Sequence, residues 1–158
     1  MSHYGVAPIA FESVSAVTAT NSVDLGTTRE YAGEQYRYVY NAGNSQASPG
    51  QGMVVTSVSG YSVTVSSVTM NDLFVGVVKH TTFTTATYGW LLTQGYAPVK
   101  APAGSIFTAG DLLGAGGDGV WTKRVSANTD TLLIQAQGKC TVATASAGVG
   151  LAYVRCLG

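Results

Sequence analysis

Side chains that alternate in character with a period of two are the feature that most limits what this chain can fold into. Tyr36, Tyr38 and Tyr40 alternate with Arg37 and Val39. Tyr61, Val63 and Val65 alternate with Ser62, Thr64 and Ser66, and the pair Ser66-Ser67 breaks the pattern before Val68, as a bulge or a strand end would. Leu132, Ile134 and Ala136 alternate with Leu133, Gln135 and Gln137. Successive side chains on a strand point to opposite faces, so each run reads as a strand. Val and Thr, which prefer strands, are abundant, and no ten-residue stretch carries an apolar stripe at i, i+3, i+4 and i+7. Ala109-Gly-Asp-Leu-Leu113 has room for about one helical turn between its flanking glycines.

Other runs are apolar on both faces: Leu73 to Val78, Trp90-Leu91-Leu92, and Val149 to Leu157. A strand of this kind is covered on both sides, by the domain's own layers or by a partner. Turn signals recur at short spacing, in Asn41-Ala-Gly-Asn44, Ser48-Pro-Gly-Gln-Gly52, Ser59-Gly60, Gly95, Pro98, Ala101-Pro-Ala-Gly104, Gly114 to Gly119 and Ala147-Gly148. Many short strands with such punctuation predict an all-β fold, a single-domain β-barrel or β-sandwich with little helix. The chain of 158 residues fits one domain, over 23–158, preceded by residues 1–22 as an N-terminal arm or an edge strand.

Charged residues make up only 10% of the chain and the formal net charge is zero, where about 25% charged is usual. The exterior must therefore be mostly Ser, Thr, Asn, Gln and Gly. A surface of that kind is easily covered in an assembly, although a secreted Thr- and Ser-rich monomer has the same composition. The basic residues are scattered and only Lys123 and Arg124 are adjacent, which argues against a nucleic-acid partner. No apolar run approaches the roughly 20 residues that span a bilayer, and the N-terminus has neither a basic region nor a long apolar stretch. No membrane association is expected, and the chain is expected to be made in the cytoplasm. Cys140 and Cys156 read as buried free thiols, or as a pair if their strands are neighbours.

Catalytic constellations are hard to assemble from these residues. Gly114-x-Gly116-x-x-Gly119 has the spacing of a dinucleotide loop, but Val120-Trp-Thr-Lys-Arg-Val125 after it reads as a strand, so a hairpin loop is expected. His3 and His80 are the only histidines, and no Gly-x-Ser-x-Gly elbow is present. Asp24, Asp72, Asp111, Asp118 and Asp130 sit in turn-like contexts, with Glu12, Glu30 and Glu34 apart from them. No enzyme activity, metal or cofactor is expected. The aromatics Tyr88, Trp90, Tyr96 and Trp121 are candidate interface residues, since Trp and Tyr anchor protein contacts. For Trp90 and Trp121 core packing is the competing reading, and exposed rings would also suit a sugar.

The succession Asn71-Asp-Leu-Phe-Val-Gly-Val-Val78, Tyr88-Gly-Trp-Leu-Leu-Thr-Gln-Gly95, Ala109-Gly-Asp-Leu-Leu113 and Leu151-Ala-Tyr-Val-Arg-Cys-Leu157 resembles the small capsid decoration, or cement, proteins of tailed bacteriophages. It covers about residues 70–158 and includes that family's Gly-Trp-x4-Gly hairpin and Gly-Asp-x-Leu turn. Leu133-Ile-Gln-Ala-Gln-Gly138 departs from the family's Ile-Gly-x-Ala element. The resemblance implies a β-tulip-like domain on the outer surface of an icosahedral capsid, commonly a homotrimer, that binds the major capsid protein and stabilises its contacts. A carbohydrate-binding or tail-fibre β module is the alternative.

Overall fold

The structure, a computed structural model, describes residues 13–57, 61–65, 74–124, 137–143 and 148–156. Among the described residues eleven strands form one sheet: β1 Val17–Thr18, β2 Thr28–Tyr31, β3 Glu34–Asn41, β4 Gly52–Ser57, β5 Ser62–Thr64, β6 Gly76–Val77, β7 Tyr88–Lys100, β8 Leu112–Ala115, β9 Trp121–Lys123, β10 Gly138–Val142 and β11 Val149–Arg155. One 3-10 turn, Gly117–Gly119, links β8 to β9. The fold is all-β, as the alternation requires.

Five strands close on themselves in the order β3, β5, β4, β6, β7, with β7 returning to β3. The β3–β5 pair is parallel, with Tyr40 opposite Ser62, and the other pairs are antiparallel. Closure leaves these strands few free edges. Their side chains divide by parity. Val39, Met53, Val63 and Leu91 share a small core with Ala47, Val78 and Phe83. Their neighbours Tyr36, Tyr38, Val54, Val77, Trp90 and Leu92 belong to a second, larger core. The ring is tight: a Cβ on Gly76 would lie 2.6 Å from Leu91 Cβ, so only glycine fits there.

The second core is built by a sheet that continues from the same β7 through β11, β10, β8 and β9. Its buried face contributes Ala97, Val99, Leu113, Ala115, Trp121, Cys140, Ala152 and Val154. Trp121 is fully buried, meets Phe74 edge-on with ring centroids 4.9 Å apart, and donates its indole N–H to Gly50 O at 3.1 Å. Buried Gln137 joins the layers a second way. Its Oε1 accepts from Phe74 N at 2.7 Å and its Nε2 donates to Phe74 O at 2.6 Å. Its own N–H bonds Leu113 O and its carbonyl accepts from Arg155 N.

Several expectations change. Gly95 and Pro98 do not turn the chain, and Gly89 to Gly95 is not a hairpin: Tyr88–Lys100 is one strand. Gly95 makes room for Glu34, whose Cγ would lie 2.8 Å from a Cβ at that position. Pro98 is tolerated because Lys100 N–H, two residues on, points away from β11 to Gly50 O. Pro98 nitrogen points the same way, past the end of β3, where no ladder bond is lost. Residues 109–113, which have room for about one helical turn, form a turn at Ala109-Gly110 followed by β8, because Leu113 is fully buried and pairs with both β9 and β10. The Gly114 to Gly119 loop is a hairpin connection, as expected.

Of the N-terminal segment, residues 13–22 pack on the domain through buried Val14 and through β1, which pairs with β7. Residues 1–12 lie outside the described residues, as do the expected strand at Leu132 to Ala136, the Ser66-Ser67 break, His3, Glu12, Asp72 and Asp130. The sequence did not suggest the hairpin of β2 and β3, whose two-residue turn, Ala32-Gly33, has positive φ at both positions. Cys140 and Cys156 are buried free thiols, and burial pushes the Cys156 thiol up to about 12.

Candidate interaction surface

The fold gathers one polar cluster that the sequence held apart. Glu34 opens β3, while Lys79 and His80 follow β6, which brings them to the same end of the ring. Lys79 Nζ pairs with both Glu34 oxygens at 2.5 Å. Tyr36 donates its hydroxyl to Glu34 Oε2 at 2.7 Å, and its oxygen lies 3.2 Å from His80 Nε2. Because the Tyr36 hydroxyl directs its hydrogen bond to Glu34, its oxygen is left to accept from His80, an arrangement that requires the Nε2–H tautomer of the imidazole.

Burial alone would raise the Glu34 carboxyl, but hydrogen bonds from Lys79 and Tyr36 and the Lys79 charge outweigh it and hold the group below the usual range. Burial, then Lys79, lowers the His80 imidazole. Burial and the Glu34 bond raise the Tyr36 phenol. The nearby cavity, lined in part by Lys79, His80 and Trp90, holds about 10 Å³. That is room for about one water molecule, too small for a substrate. Among the described residues no three His, Cys, Asp or Glu side chains converge as metal ligands would.

The cluster therefore acts as a clasp, and its pH dependence has a defined sign. A folded value below the unfolded one means that the unfolded state binds more protons, so stability falls on acidification. The His80 contribution is complete above about 6.5 and is lost as pH falls through its lower folded value. The Glu34 contribution is complete above about 4.3 and is lost below that. The urea midpoint should fall steadily from pH 7 to pH 3, and Glu34→Gln should flatten the part below about pH 4.5. An unchanged slope in that variant would remove Glu34 from the clasp.

The aromatics singled out in the sequence separate by depth. Trp121 and Trp90 are interior, so the core reading holds for both, and neither ring is available as a surface anchor. The reason is structural. Trp121 is the bridge between the layers, and Trp90 packs against Tyr38 with centroids 5.1 Å apart. Tyr88 is half-buried between Tyr38 and Tyr40. Of the four, only Tyr96 is exposed, at 52%.

Tyr96 has company that the sequence reading did not assign to it. β11 follows a strict two-residue rhythm: Gly150, Ala152 and Val154 are buried, while Val149, Leu151, Tyr153 and Arg155 are exposed. Its partners in register extend the outer face. Tyr153 stands opposite Tyr96, Leu151 opposite Pro98 and Val149 opposite Lys100. On the other side, Lys139 faces Tyr153 and Val142 faces Leu151. The Tyr96 and Tyr153 rings meet edge to face at 5.3 Å, and Gln94 Nε2 donates to the Tyr153 hydroxyl at 3.1 Å. The result is a contiguous apolar face on β7, β11 and β10, where scattered single residues would need no explanation. The two-sided apolar run from Val149 was its signal in the sequence. The structure assigns one side of that run to the domain's own core and leaves the other in solvent.

No protein-family model matches the chain, and no curated protein matches its sequence. Among solved structures the chain is similar to the N base of the head fiber protein gp8.5 of bacteriophage phi29. The identity is 12% and the TM-score 0.52, over 78% of this chain and 98% of that one. At that identity the likeness is one of fold.

Proposed function

We propose that this chain is a structural protein of a bacteriophage virion that binds the outer surface of the icosahedral capsid and stabilises contacts between major capsid subunits. The observation that carries the proposal is the exposed apolar outer face of β11, on a fold similar to the base of a phage head fiber. Such a face suits a protein that works by being covered. The low charge of the chain agrees with this. No chemical reaction, cofactor, membrane or nucleic acid enters the proposed role.

Self-association as a homotrimer belongs to the same proposal. β2 ends the strand order and is an edge that a second copy could cover, while linked copies would gain avidity over one contact. The glycan-binding alternative has less support, since Trp90 and Trp121 are interior and the exposed Tyr96 and Tyr153 rings meet at 75°.

Electron microscopy of the phage that encodes this chain tests the proposal. Density for it is expected outside the shell, and particles grown without the gene are expected to lose DNA at a lower temperature. Density inside the shell, or virions without the chain, would overturn it.

A further inference from the structure

We infer that the outer face of β7, β10 and β11 docks a protein surface with an apolar centre and a rim of carboxylates, and that this occupant is not a second copy of the same face. The inference rests on the capsid-binding role proposed above and adds which face meets the shell and what chemistry the shell must present there.

The centre of the face is Tyr96, Pro98, Val142, Val149, Leu151 and Tyr153. Its rim carries Lys100 at the end of β7, Lys139 on β10 and Arg155 at the end of β11, with no Asp or Glu anywhere in the three strands. Lys139 and Arg155 are exposed. Among the described carboxylates, the two that the pairing places beside these strands are already engaged. Glu34, beside Gly95, binds Lys79, and Asp111, next to the residue paired with Lys139, binds Lys123 at 2.8 Å. The other described acids, Asp24, Glu30 and Asp118, lie on separate elements. A chain with zero net charge thus presents this face with three cations and no anion in its strands.

That asymmetry selects the occupant. Two copies stacked through this face would bring six cations together around an apolar contact, and like charges at an interface cost affinity heavily. A partner with Asp or Glu around an apolar patch matches both features. Three cations are too few for phosphate-driven binding, and the centre is more aliphatic than a base-stacking platform.

The test uses heads purified from phage grown without the gene, to which the purified chain is added back. The wild type should bind, and more weakly as salt rises. Lys139→Glu with Arg155→Glu should lose at least about 100-fold in affinity. Leu151→Asp should do the same through the centre, while a control reversal at exposed Asp24→Lys should not. All four positions are exposed, so an unchanged melting temperature verifies the fold. If a reversed variant does melt early, Lys139→Gln with Arg155→Gln replaces it and should lose about 10-fold.

Variants that bind like the wild type would overturn the face while leaving the capsid role intact. Tighter binding on charge reversal would overturn the charge assignment. Cross-links between Tyr153 positions of two free copies, or wild-type binding to a single-stranded oligonucleotide that the double reversal abolishes, would overturn the choice of occupant. A wild type that never binds heads would overturn the capsid role and this inference together.

Discussion

Trp121→Ala should destabilise the fold by about 4–6 kcal/mol in urea titration. Truncating a buried Trp costs about 3–5 kcal/mol, and losing its hydrogen bond adds about 0.5–1.5 kcal/mol, with incomplete additivity. Both terms apply here. The ring is fully buried against Phe74, and its N–H satisfies Gly50 O, the carbonyl that also receives Lys100 N–H. Trp121→Phe separates them, since it retains most of the apolar contact and loses only the hydrogen bond; about 1–2 kcal/mol is expected. Domains of this size are commonly stable by about 5–15 kcal/mol, so the alanine variant stands near the threshold of folding. Trp90 remains as a fluorescent reporter. A cost below about 2 kcal/mol would mean that the β8–β9 hairpin can leave the ring without disturbing it.

Gln137→Leu comes next, with an expected cost of about 3–5 kcal/mol. The substitution keeps the volume and adds apolar surface, so a packing account alone predicts little change. The carboxamide, however, satisfies both the N–H and the C=O of Phe74, and each buried group left without a partner costs about 1–3 kcal/mol. Gln137→Glu provides the sharper contrast. It keeps an acceptor for Phe74 N–H, loses the donor to Phe74 O and buries a charge, so it should be at least as damaging at pH 7 and less so in acid. The Phe74 amide should exchange with solvent much faster in the leucine variant. A neutral Gln137→Leu would show that Phe74 finds other partners.

What could be read from the residues followed from which physical constraint acted on them. Tyr36 and Tyr38 announced a strand because alternation survives any tertiary context that buries one face. The fate of Val149 to Leu157 was half legible. Two apolar faces meant two coverings, but only register with β7 and β10 could tell which face lay inside. Gly95 and Pro98 misled because their turn preference is local, while their real roles, space for Glu34 and a nitrogen directed off the ladder, depend on residues far away in sequence. The Glu34, Lys79 and His80 clasp was invisible for the same reason: ring closure brings together positions about 45 residues apart. Trp90 and Trp121 were ambiguous because an indole serves a core and an interface equally well, and only depth separates the two uses.

One consequence concerns force. β7 is a single backbone that is both a stave of the closed ring and the first strand of the sheet carrying the outer face. A pull on that face along the strand reaches the ring through covalent bonds. It must then shear the β3–β7 and β7–β11 ladders along their length, rather than peel them one bond at a time. Resistance to forced unfolding is set by the unfolding rate, and a shared stave is the geometry in which many bonds must fail together.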